Sequence, residues 1–436
     1  MLRFGTDGVR GVAFTELTEQ DVAELGMVAA RELGVTKVLI GRDTRESGKQ
    51  LETALANGLL AGGVSVELLG AAPTPAIAFL AAKRGCASAA ITASHNPYLD
   101  NGVKLFANGG VKLSDAQQDA IESHMTGSAT VPAASAAQVD LLGEYAAHIV
   151  GLFPVLAFAN IRVVLDCANG AMSDVAPEVF ARLGATVIVL NDRPNGKNIN
   201  EGCGATHPEL VSEAVRLHKA DLGLAFDGDG DRVIAVDHIG DVVDGDHLIA
   251  LAAIDLHKRG KLKSNSVAVT VMTNAGFHQA MTKAGINVIT TPVGDRNILV
   301  AFDEHGVVLG GEQSGHIIYR DYATTGDGLL AGAMLVDLVR REAKPLATLA
   351  RNAMTSLPQT LINIRVAQVG KSPAEDLAAE IADATKRLDG IGRVLLRTSG
   401  TEPVVRVMVE AASQETADAV AQGLAEVVSQ RFGGAR

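Results

Sequence analysis

The residues best suited to chemistry form an acidic loop, in which Asp227, Asp229 and Asp231 alternate with glycines after the apolar run Leu222–Phe226. If the segment is extended, side chains two residues apart project to the same side, so we expect the three carboxylates to lie together. Ionised carboxylates about 4 Å apart repel each other by about 4 kcal/mol per pair at an effective dielectric constant of about 20. A hard cation removes this repulsion, and three oxygen ligands with open positions suit Mg²⁺.

The acidic loop has two other possible interpretations, a calcium-binding hand and a solvated turn. A calcium-binding hand needs glycine at the sixth position and glutamate at the twelfth. Counting from Asp227, those positions hold Arg232 and His238, which excludes the calcium hand. A solvated acidic turn stays open as an alternative, although the preceding apolar run and the density of aspartates favour the metal site.

Ser94 is the candidate nucleophile. It lies in the polar segment Thr92–Pro97, directly after the small-residue run Ala87–Ile91. An α/β fold presents a nucleophile in this way, at the carboxyl end of a strand. Metal-assisted phosphoryl transfer through a serine needs such a hydroxyl, a cation site and an anion-binding loop. His95 follows the serine, and for it a catalytic role and a role in loop packing both stay open.

A second loop, near residue 400, has the groups that bind a phosphate. Arg397 offers a two-pronged guanidinium, and Arg406 can add a second positive charge. Ser399 and Thr401 offer hydroxyls, and Gly400 lets main-chain N–H groups approach an anion. An ordinary hairpin turn would also use these small polar residues, so that alternative stays open.

Composition and patterning predict an α/β fold of several domains. The chain has 436 residues, of which 47% are apolar and 3% aromatic, and this length corresponds to roughly three or four domains. Strand-like and helix-like segments alternate over most of the chain, which is typical of βαβ units with mostly parallel sheets. We expect α/β domains at 1–140, 141–256 and 257–365.

The tail, at 366–436, has a different pattern and predicts a small α+β domain. Ser372, Pro373 and Glu375 form a capping-box signature for a helix start. Two strands, Arg393–Leu396 and Val404–Val409, and a helix at Gln414–Arg431 follow.

The net charge and the cysteine content limit which partners and which cellular compartment we expect. A formal net charge of −12 argues against a general binder of nucleic acid or anionic membranes. The three cysteines lack metal-ligand spacing, which is typical of a reduced, cytoplasmic protein. We find no signal-peptide pattern and no apolar window of about 18 residues, so no transmembrane helix is expected.

Together the motifs resemble the α-D-phosphohexomutase superfamily over essentially the whole chain. The resemblance rests on four segments in the order of that family: a phosphoserine loop, a metal loop, a sugar loop and a phosphate loop, which are Thr92–Pro97, Asp227–Arg232, Gly311–His316 and Arg397–Pro403. The segment Asn198–Glu209 is a further match.

The opening segment Phe4–Gly11 and Gln313 resemble the branch of this superfamily that acts on glucosamine phosphates. Relatives that act on mannose phosphates usually have methionine at the position of Gln313. Thr398 departs from the branch, which commonly has proline there.

The resemblance implies three related mixed-sheet α/β domains and a small C-terminal α+β domain around a central cleft. It implies an isomerase that interconverts glucosamine 6-phosphate and glucosamine 1-phosphate through a phosphoserine and glucosamine 1,6-bisphosphate, for UDP-N-acetylglucosamine synthesis. The implied partners are sugar phosphates and a phosphoryl donor that activates the serine, and both a monomer and a homodimer stay open.

The resemblance also implies roles for residues of this chain. One Mg²⁺ would be held by Ser94 and by Asp227, Asp229 and Asp231. Arg10 and Lys104 would stabilise charge near Ser94, with His95 beside it. Sugar hydroxyls would be held by Glu312 and Ser314, and the substrate phosphate by Arg397, Ser399, Gly400, Thr401 and Arg406. The general base would be Asp295, where relatives often have histidine.

Three alternatives to this function stay open. The first is a phosphoglucomutase or phosphomannomutase, which shares most motifs. The second is a Mg²⁺-dependent sugar phosphatase, which would need neither the sugar loop nor a second phosphate site. The third is a non-catalytic sugar-phosphate binding protein, against which the intact Ser94 and the three aspartates argue.

Overall fold

The structure, a computed structural model, describes residues 2–366, 373–398 and 404–433. The chain divides into two compact units, one of Met1–Met272 with Ala284–Ala353 and the other of Thr273–Lys283 with Met354–Arg436. The strands of the described residues form four sheets, of which three lie in the first unit and one in the second.

The first sheet is built by the N-terminal part of the chain. Its strands and helices are β1 (Val9–Val12), α1 (Glu19–Glu32), β2 (Lys37–Arg42), α2 (Gly48–Ala61), β3 (Ser65–Ala71), α3 (Thr74–Arg84), β4 (Ala87–Ile91), β5 (Asp100–Ala107), β6 (Val111–Lys112), α4 (Asp115–His124) and β7 (Ala137–Gln138). The strand order is β1-β5-β4-β2-β3-β7, with β6 paired to β5. Strand β4 is parallel to β2 and antiparallel to β5.

Strand β4 is made of small residues because both of its faces are covered. Ala87, Ala89 and Ile91 belong to one hydrophobic core and Ala90 to another, as expected for a strand buried on both sides.

Helices α1 and α2 approach closely at Gly58, where a Cβ atom would lie only 1.9 Å from the carbonyl oxygen of Ala23.

The second sheet repeats the mixed architecture. Its elements are α5 (Leu142–Gly151), β8 (Arg162–Asp166), α6 (Val175–Arg182), β9 (Thr186–Leu190), α7 (Glu209–His218), β10 (Leu222–Phe226), β11 (Val233–Asp237), β12 (Val242–Val243) and α8 (Gly245–Lys258). The strand order is β12-β11-β10-β8-β9. Strands β8, β9 and β10 are parallel, and β10 turns back into antiparallel β11. The acidic loop is the connection between β10 and β11.

The third sheet has the order β14-β13-β15-β16. This part of the chain comprises β13 (Ser266–Thr270), α9 (Ala275–Ala284), β14 (Asn287–Thr291), α10 (Asp295–His305), β15 (Leu309–Gly311), β16 (Ile317–Tyr319), α11 (Gly328–Glu342) and α12 (Leu346–Ala353). Strand β13 is parallel to β14 and β15, whereas β16 is antiparallel to β15. The turn between β15 and β16 is the predicted sugar loop.

The fourth sheet is antiparallel, with the order β17-β19-β18. Its elements are β17 (Gln359–Arg365), α13 (Pro373–Asp376), α14 (Ala378–Lys386), β18 (Gly392–Thr398), β19 (Val404–Ala411) and α15 (Gln414–Phe432). Most of α9 belongs to this second unit, where the Ala275 N–H donates to the buried Glu410 carboxylate. The predicted cap Ser372 lies outside the described residues.

The predicted fold class is confirmed: three α/β regions with mixed sheets are followed by an antiparallel α+β region. Within the described ranges, we find no helix with the length and apolar content needed to cross a membrane.

Candidate active site

Ser94 lies just beyond the carboxyl end of β4, in line with the prediction. Its side chain is fully buried, and its backbone φ of 53° falls in the left-handed region that residues other than glycine rarely adopt. Its Oγ donates a hydrogen bond of 2.5 Å to Asp227 Oδ2. The hydroxyl is therefore aimed at the acidic loop of the second sheet.

Asp227, Asp229 and Asp231, which we call the acidic triad, are buried, and their ligand oxygens lie within 4.8 Å of one another. The expectation of an extended segment is wrong, because the residues form a turn between β10 and β11. Gly230 allows this turn by adopting a φ of 74°. The turn, rather than the alternation of a strand, gathers the three carboxylates.

The acidic triad fits a hard cation. Asp229 Oδ1 and Asp231 Oδ1 are buried and accept no hydrogen bond from any residue that the structure describes. A buried carboxylate oxygen that accepts no hydrogen bond is costly, although Asp231 Oδ1 does lie 3.6 Å from His316 Nδ1. A set of oxygen donors is the kind that Mg²⁺ prefers. The predicted magnesium site is therefore compatible with the residues present.

Lys104, on β5, supplies a positive charge to the same carboxylates. Its Nζ lies 2.8 Å from Asp229 Oδ2, 2.9 Å from Asp231 Oδ2 and 2.9 Å from Asp7 Oδ2. Burial lowers the pKa of Lys104, but the three carboxylates outweigh it and raise the pKa well above its usual value. The ammonium therefore stays charged. Arg10, on β1, forms an ion pair with Asp7.

The carboxyls of the triad differ in their pKa. Burial raises the pKa of Asp227, and the charges of its two neighbours in the triad raise it further. Burial also acts on Asp231, but Lys104 and His316 outweigh it and lower the pKa of Asp231 well below its usual value. A cation would therefore stabilise the charged form of Asp227, the carboxylate beside Ser94.

His95 contacts Ser94 but carries no charge near neutral pH. Its Nδ1 lies 3.3 Å from Ser94 Oγ and 3.0 Å from Arg232 Nη1. Burial lowers the pKa of His95 to about 4, and the charges of Arg232 and Arg10 act in the same direction. Because the guanidinium can only donate, His95 Nδ1 accepts from Arg232 and so orients it.

The predicted sugar loop, which is the turn between β15 and β16, is hydrogen-bonded to the end of the acidic loop. The N–H of Val233, at the end of the acidic loop, donates to the carbonyl oxygen of Gly315 at 3.1 Å. Glu312 Oε1 accepts a hydrogen bond of 3.1 Å from the N–H of Gly294, and the Ser314 side chain is exposed. Both predicted sugar-binding residues thus lie on a loop that is hydrogen-bonded to the metal loop.

His316, at the end of the sugar loop, was not singled out from the sequence. It is buried, with Nδ1 3.6 Å from Asp231 Oδ1 and Nε2 3.3 Å from Asp295 Oδ2. Burial lowers the pKa of His316, but the two carboxylates outweigh burial and raise it to about 10. Its position next to a glycine-rich turn was the only signal in the sequence.

Asp295, the predicted base, begins α10 and lies in the same charge network. Its Oδ2 is 2.5 Å from Lys112 Nζ, which is also 2.9 Å from Asp7 Oδ1. Burial raises the pKa of Asp295, but Lys112 and His316 outweigh it and lower the pKa. Asp7 and Lys112 are further members of the site that the sequence did not reveal. They link Lys104 to Asp295 through alternating charges.

The second unit carries the predicted phosphate-binding residues. Arg397 on β18 and Arg406 on β19 are directly opposite each other in the antiparallel register. Like charges in this position repel each other. Ser399, Gly400 and Thr401 lie outside the described residues.

Comparisons with known proteins agree along the chain. Protein-family models for phosphoglucomutase/phosphomannomutase match at four places: alpha/beta/alpha domain I at residues 1–131, domain II at 143–240, domain III at 244–357, and the C-terminal domain at 361–427. A phosphoglucosamine mutase of Frankia casuarinae is 48% identical over 448 residues, covering 98% of this chain and 97% of the relative.

Solved structures share the fold. A phosphoglucomutase/phosphomannomutase family protein from Burkholderia thailandensis is 26% identical with a TM-score of 0.82, covering 99% of this chain and 98% of the other. The N-acetylphosphoglucosamine mutase of Aspergillus fumigatus, solved with GlcNAc-6P and magnesium, is 19% identical with a TM-score of 0.72 over 99% and 96%. With 48% identity to a curated relative over nearly its full length, the chain belongs to the phosphoglucosamine mutases, isomerases of the phosphohexomutase superfamily.

Proposed function

We propose that this chain interconverts glucosamine 6-phosphate and glucosamine 1-phosphate, with Ser94 as the carrier of the phosphoryl group. The observation that carries the proposal is the 2.5 Å contact between Ser94 Oγ and Asp227 Oδ2. A buried hydroxyl in a left-handed backbone conformation, beside a carboxylate triad, is an arrangement that core packing does not require. It suits phosphoryl transfer through a serine, which depends on a positioned hydroxyl and on stabilisation of charge.

In the proposed transfer, each bond that forms is matched by one that breaks. Phosphorylated Ser94 gives its phosphoryl group to the free hydroxyl of the sugar phosphate, so that the bond between phosphorus and Oγ breaks and a bond to the sugar oxygen forms. The hydroxyl proton passes to a base of the site, and Ser94 Oγ takes up a proton as it leaves. The resulting glucosamine 1,6-bisphosphate reorients. Ser94 Oγ then gives up its proton and bonds to the other phosphorus, while the bond from that phosphorus to the sugar oxygen breaks and the sugar oxygen is protonated. Ser94 is therefore phosphorylated at the start and end of each cycle, and a phosphoryl donor must load it first.

The residues around Ser94 are suited to charge that develops on the phosphoryl group. We propose that Ser94 and the acidic triad hold one Mg²⁺, which when bound offsets that negative charge. Lys104 and Arg10 add fixed positive charge, and His95 keeps Arg232 oriented. The role of Asp295 as general base stays a prediction, and its lowered pKa weakens it as a proton acceptor.

Substrate binding is assigned to two loops. We propose that Glu312 and Ser314 hold sugar hydroxyls that are equivalent in the two orientations of the substrate. The phosphate that does not react would be bound by Arg397, Ser399, Gly400, Thr401 and Arg406. We further propose domain boundaries at 1–140 and 141–256, with a last domain that begins before β17, because β17 pairs with β19. We also propose a place for the product in UDP-N-acetylglucosamine synthesis.

The test is a rate comparison with Mg²⁺ and a trace of the matching bisphosphate. We expect glucosamine 6-phosphate to be preferred over glucose 1-phosphate, whereas a clear preference for the glucose substrate would contradict the proposed substrate. Ser94→Ala should bind sugar phosphate but lose turnover. Ser88→Ala, the same change in buried strand β4, is the matched control and should stay active.

A further inference from the structure

Arg45 is a buried arginine next to the Ser94 loop, and the proposed mechanism does not use it. Its side chain is completely buried, and its Nε donates to Asp43 Oδ2 at 2.8 Å. Its other four N–H groups all donate to main-chain carbonyl oxygens of one loop, those of Ser94, Asn96, Pro97 and Asp100. All five donors of the guanidinium are therefore occupied.

Asn200 is a second donor to the same carbonyl. Its Nδ2 lies 2.9 Å from the Ser94 carbonyl oxygen, to which Arg45 Nη2 also donates at 2.9 Å, and 3.2 Å from that of Asn96. Asn200 comes from a loop of the second α/β region, where its own N–H donates to the Ala168 carbonyl at 2.9 Å. The Ser94 carbonyl is thus held from two parts of the chain at once.

The N–H group of Ser94 is fixed by the same cluster. It donates to Thr92 Oγ1 at 2.9 Å, and Thr92 Oγ1 donates to Asp43 Oδ2 at 2.7 Å. Asp43 also accepts from the Arg45 main chain at 3.0 Å. Both peptide groups of Ser94 are therefore tied to the Asp43–Arg45 pair.

This cluster explains how Ser94 keeps an unfavourable backbone conformation. A φ of 53° is disfavoured for serine and persists only where the surroundings fix it. None of the contacts of Arg45 or Asn200 given above reaches Ser94 Oγ, so these residues act through the main chain. We propose that Arg45 and Asn200 are positioning residues, which hold Ser94 in the conformation that aims Oγ at Asp227. This inference rests on the role of Ser94 proposed above.

Asn200→Asp gives the sharpest test, because it keeps size and shape but replaces the donor with an acceptor opposite the Ser94 carbonyl. Asn198→Asp is the matched control: it lies in the same loop, and its Nδ2 donates to the Arg193 carbonyl instead. A misplacement of about 1 Å costs on the order of 100-fold in rate. We expect Asn200→Asp to lower kcat by about that factor with KM changed less than about threefold, and Asn198→Asp to behave like the wild type.

Arg45→Lys is the second variant, since it keeps the charge but lacks the planar fork with five donors. We expect it to lower kcat at least as much as Asn200→Asp, again with KM nearly unchanged. Circular dichroism at the assay temperature shows whether each variant is folded. If Arg45→Lys does not fold, the kinetics of Asn200→Asp alone test the positioning role. Calorimetry of glucosamine 6-phosphate binding should give the wild-type affinity for a folded variant.

The outcomes separate this inference from the proposed function. If Ser94→Ala is inactive but folded Asn200→Asp turns over at the wild-type rate, the positioning role is wrong and the phosphoserine mechanism stands. A parallel loss of binding affinity in Asn200→Asp would place Asn200 in the substrate site and would also overturn the positioning role. If Ser94→Ala itself turns over, the proposed function fails, whatever the other variants do.

Discussion

Asp327→Asn tests how the helix behind the acidic loop is stabilised. Asp327 is the buried residue that caps the start of α11. Its Oδ1 accepts hydrogen bonds from the Leu330 N–H at 2.9 Å and from the Tyr145 hydroxyl at 2.8 Å. The next residue, Gly328, donates its N–H to the Gly230 carbonyl of the acidic loop at 3.0 Å. Burial raises the pKa of Asp327 to about 6, because the hydrogen bonds from Leu330, Tyr145 and Leu329 offset the loss of solvent only in part.

The size and sign of the effect follow from this pKa. An ordinary aspartate has a pKa of 3.8, so a rise to about 6 corresponds to about 3 kcal/mol at about 1.36 kcal/mol per pKa unit. The folded pKa exceeds the unfolded one, so the folded protein binds the proton more tightly. This contribution to the free energy of unfolding is fully present below the unfolded pKa and is lost as the pH rises through about 6. Between about pH 4.5 and pH 7 the loss amounts to about 2 kcal/mol.

The assay is urea unfolding of the wild type and Asp327→Asn across this pH range. Asparagine keeps an oxygen that can accept the hydrogen bonds from Leu330 and Tyr145 but cannot ionise, so the variant should gain about 2 kcal/mol relative to the wild type as the pH rises. Tyr145→Phe removes one donor, should raise the pKa of Asp327 further, and should steepen the pH dependence. A difference between Asp327→Asn and the wild type that does not change with pH would refute the reasoning.

Three further predictions concern the site and its scaffold. Lys104→Met should lower the free energy of unfolding by about 3–5 kcal/mol in EDTA, because it removes the cation that lies closest to the buried carboxylates of Asp229 and Asp231. Mg²⁺ should restore part of the loss, and an equal loss with and without Mg²⁺ would contradict binding at the triad. Ser94→Gly should be more stable than Ser94→Ala by about 1 kcal/mol in urea unfolding, since only glycine tolerates this φ freely; equal stabilities would argue against strain. Gly58→Ala should lower the stability by about 1–3 kcal/mol through overpacking, whereas Gly143→Ala, which meets nothing within 4 Å, should not, as melting temperatures would show.

Local patterns were enough to predict the elements that carry the chemistry. Strands β10 (Leu222–Phe226) and β4 (Ala87–Ile91) have the same bounds as the apolar runs in the sequence, and Ser94 follows β4 as expected. Each of these is an apolar run that ends at a polar or glycine-rich turn, so its signal is contained within about ten residues. Strand β17 was missed because it alternates weakly and is defined by its pairing with β19, more than 30 residues away.

The charge network and the main-chain contacts of Ser94 could not be predicted from local pattern. Lys112, Asp295 and His316 come together from three distant segments, and no spacing rule relates them. Arg45 lies about 50 residues before the carbonyls it binds. The sequence indicates the right residues for the acidic loop but the wrong backbone geometry. Side chains two residues apart share a face only in an extended strand, whereas these residues form a turn.

The most direct test of the central claim follows a labelled phosphoryl group. The protein is loaded from radiolabelled glucosamine 1,6-bisphosphate, the labelled peptide is identified by mass spectrometry, and unlabelled glucosamine 6-phosphate is added in a single turnover. We predict that the label resides on Ser94 and moves to the sugar at least as fast as kcat. Label on another residue, or transfer from Ser94 slower than steady-state turnover, would contradict the account.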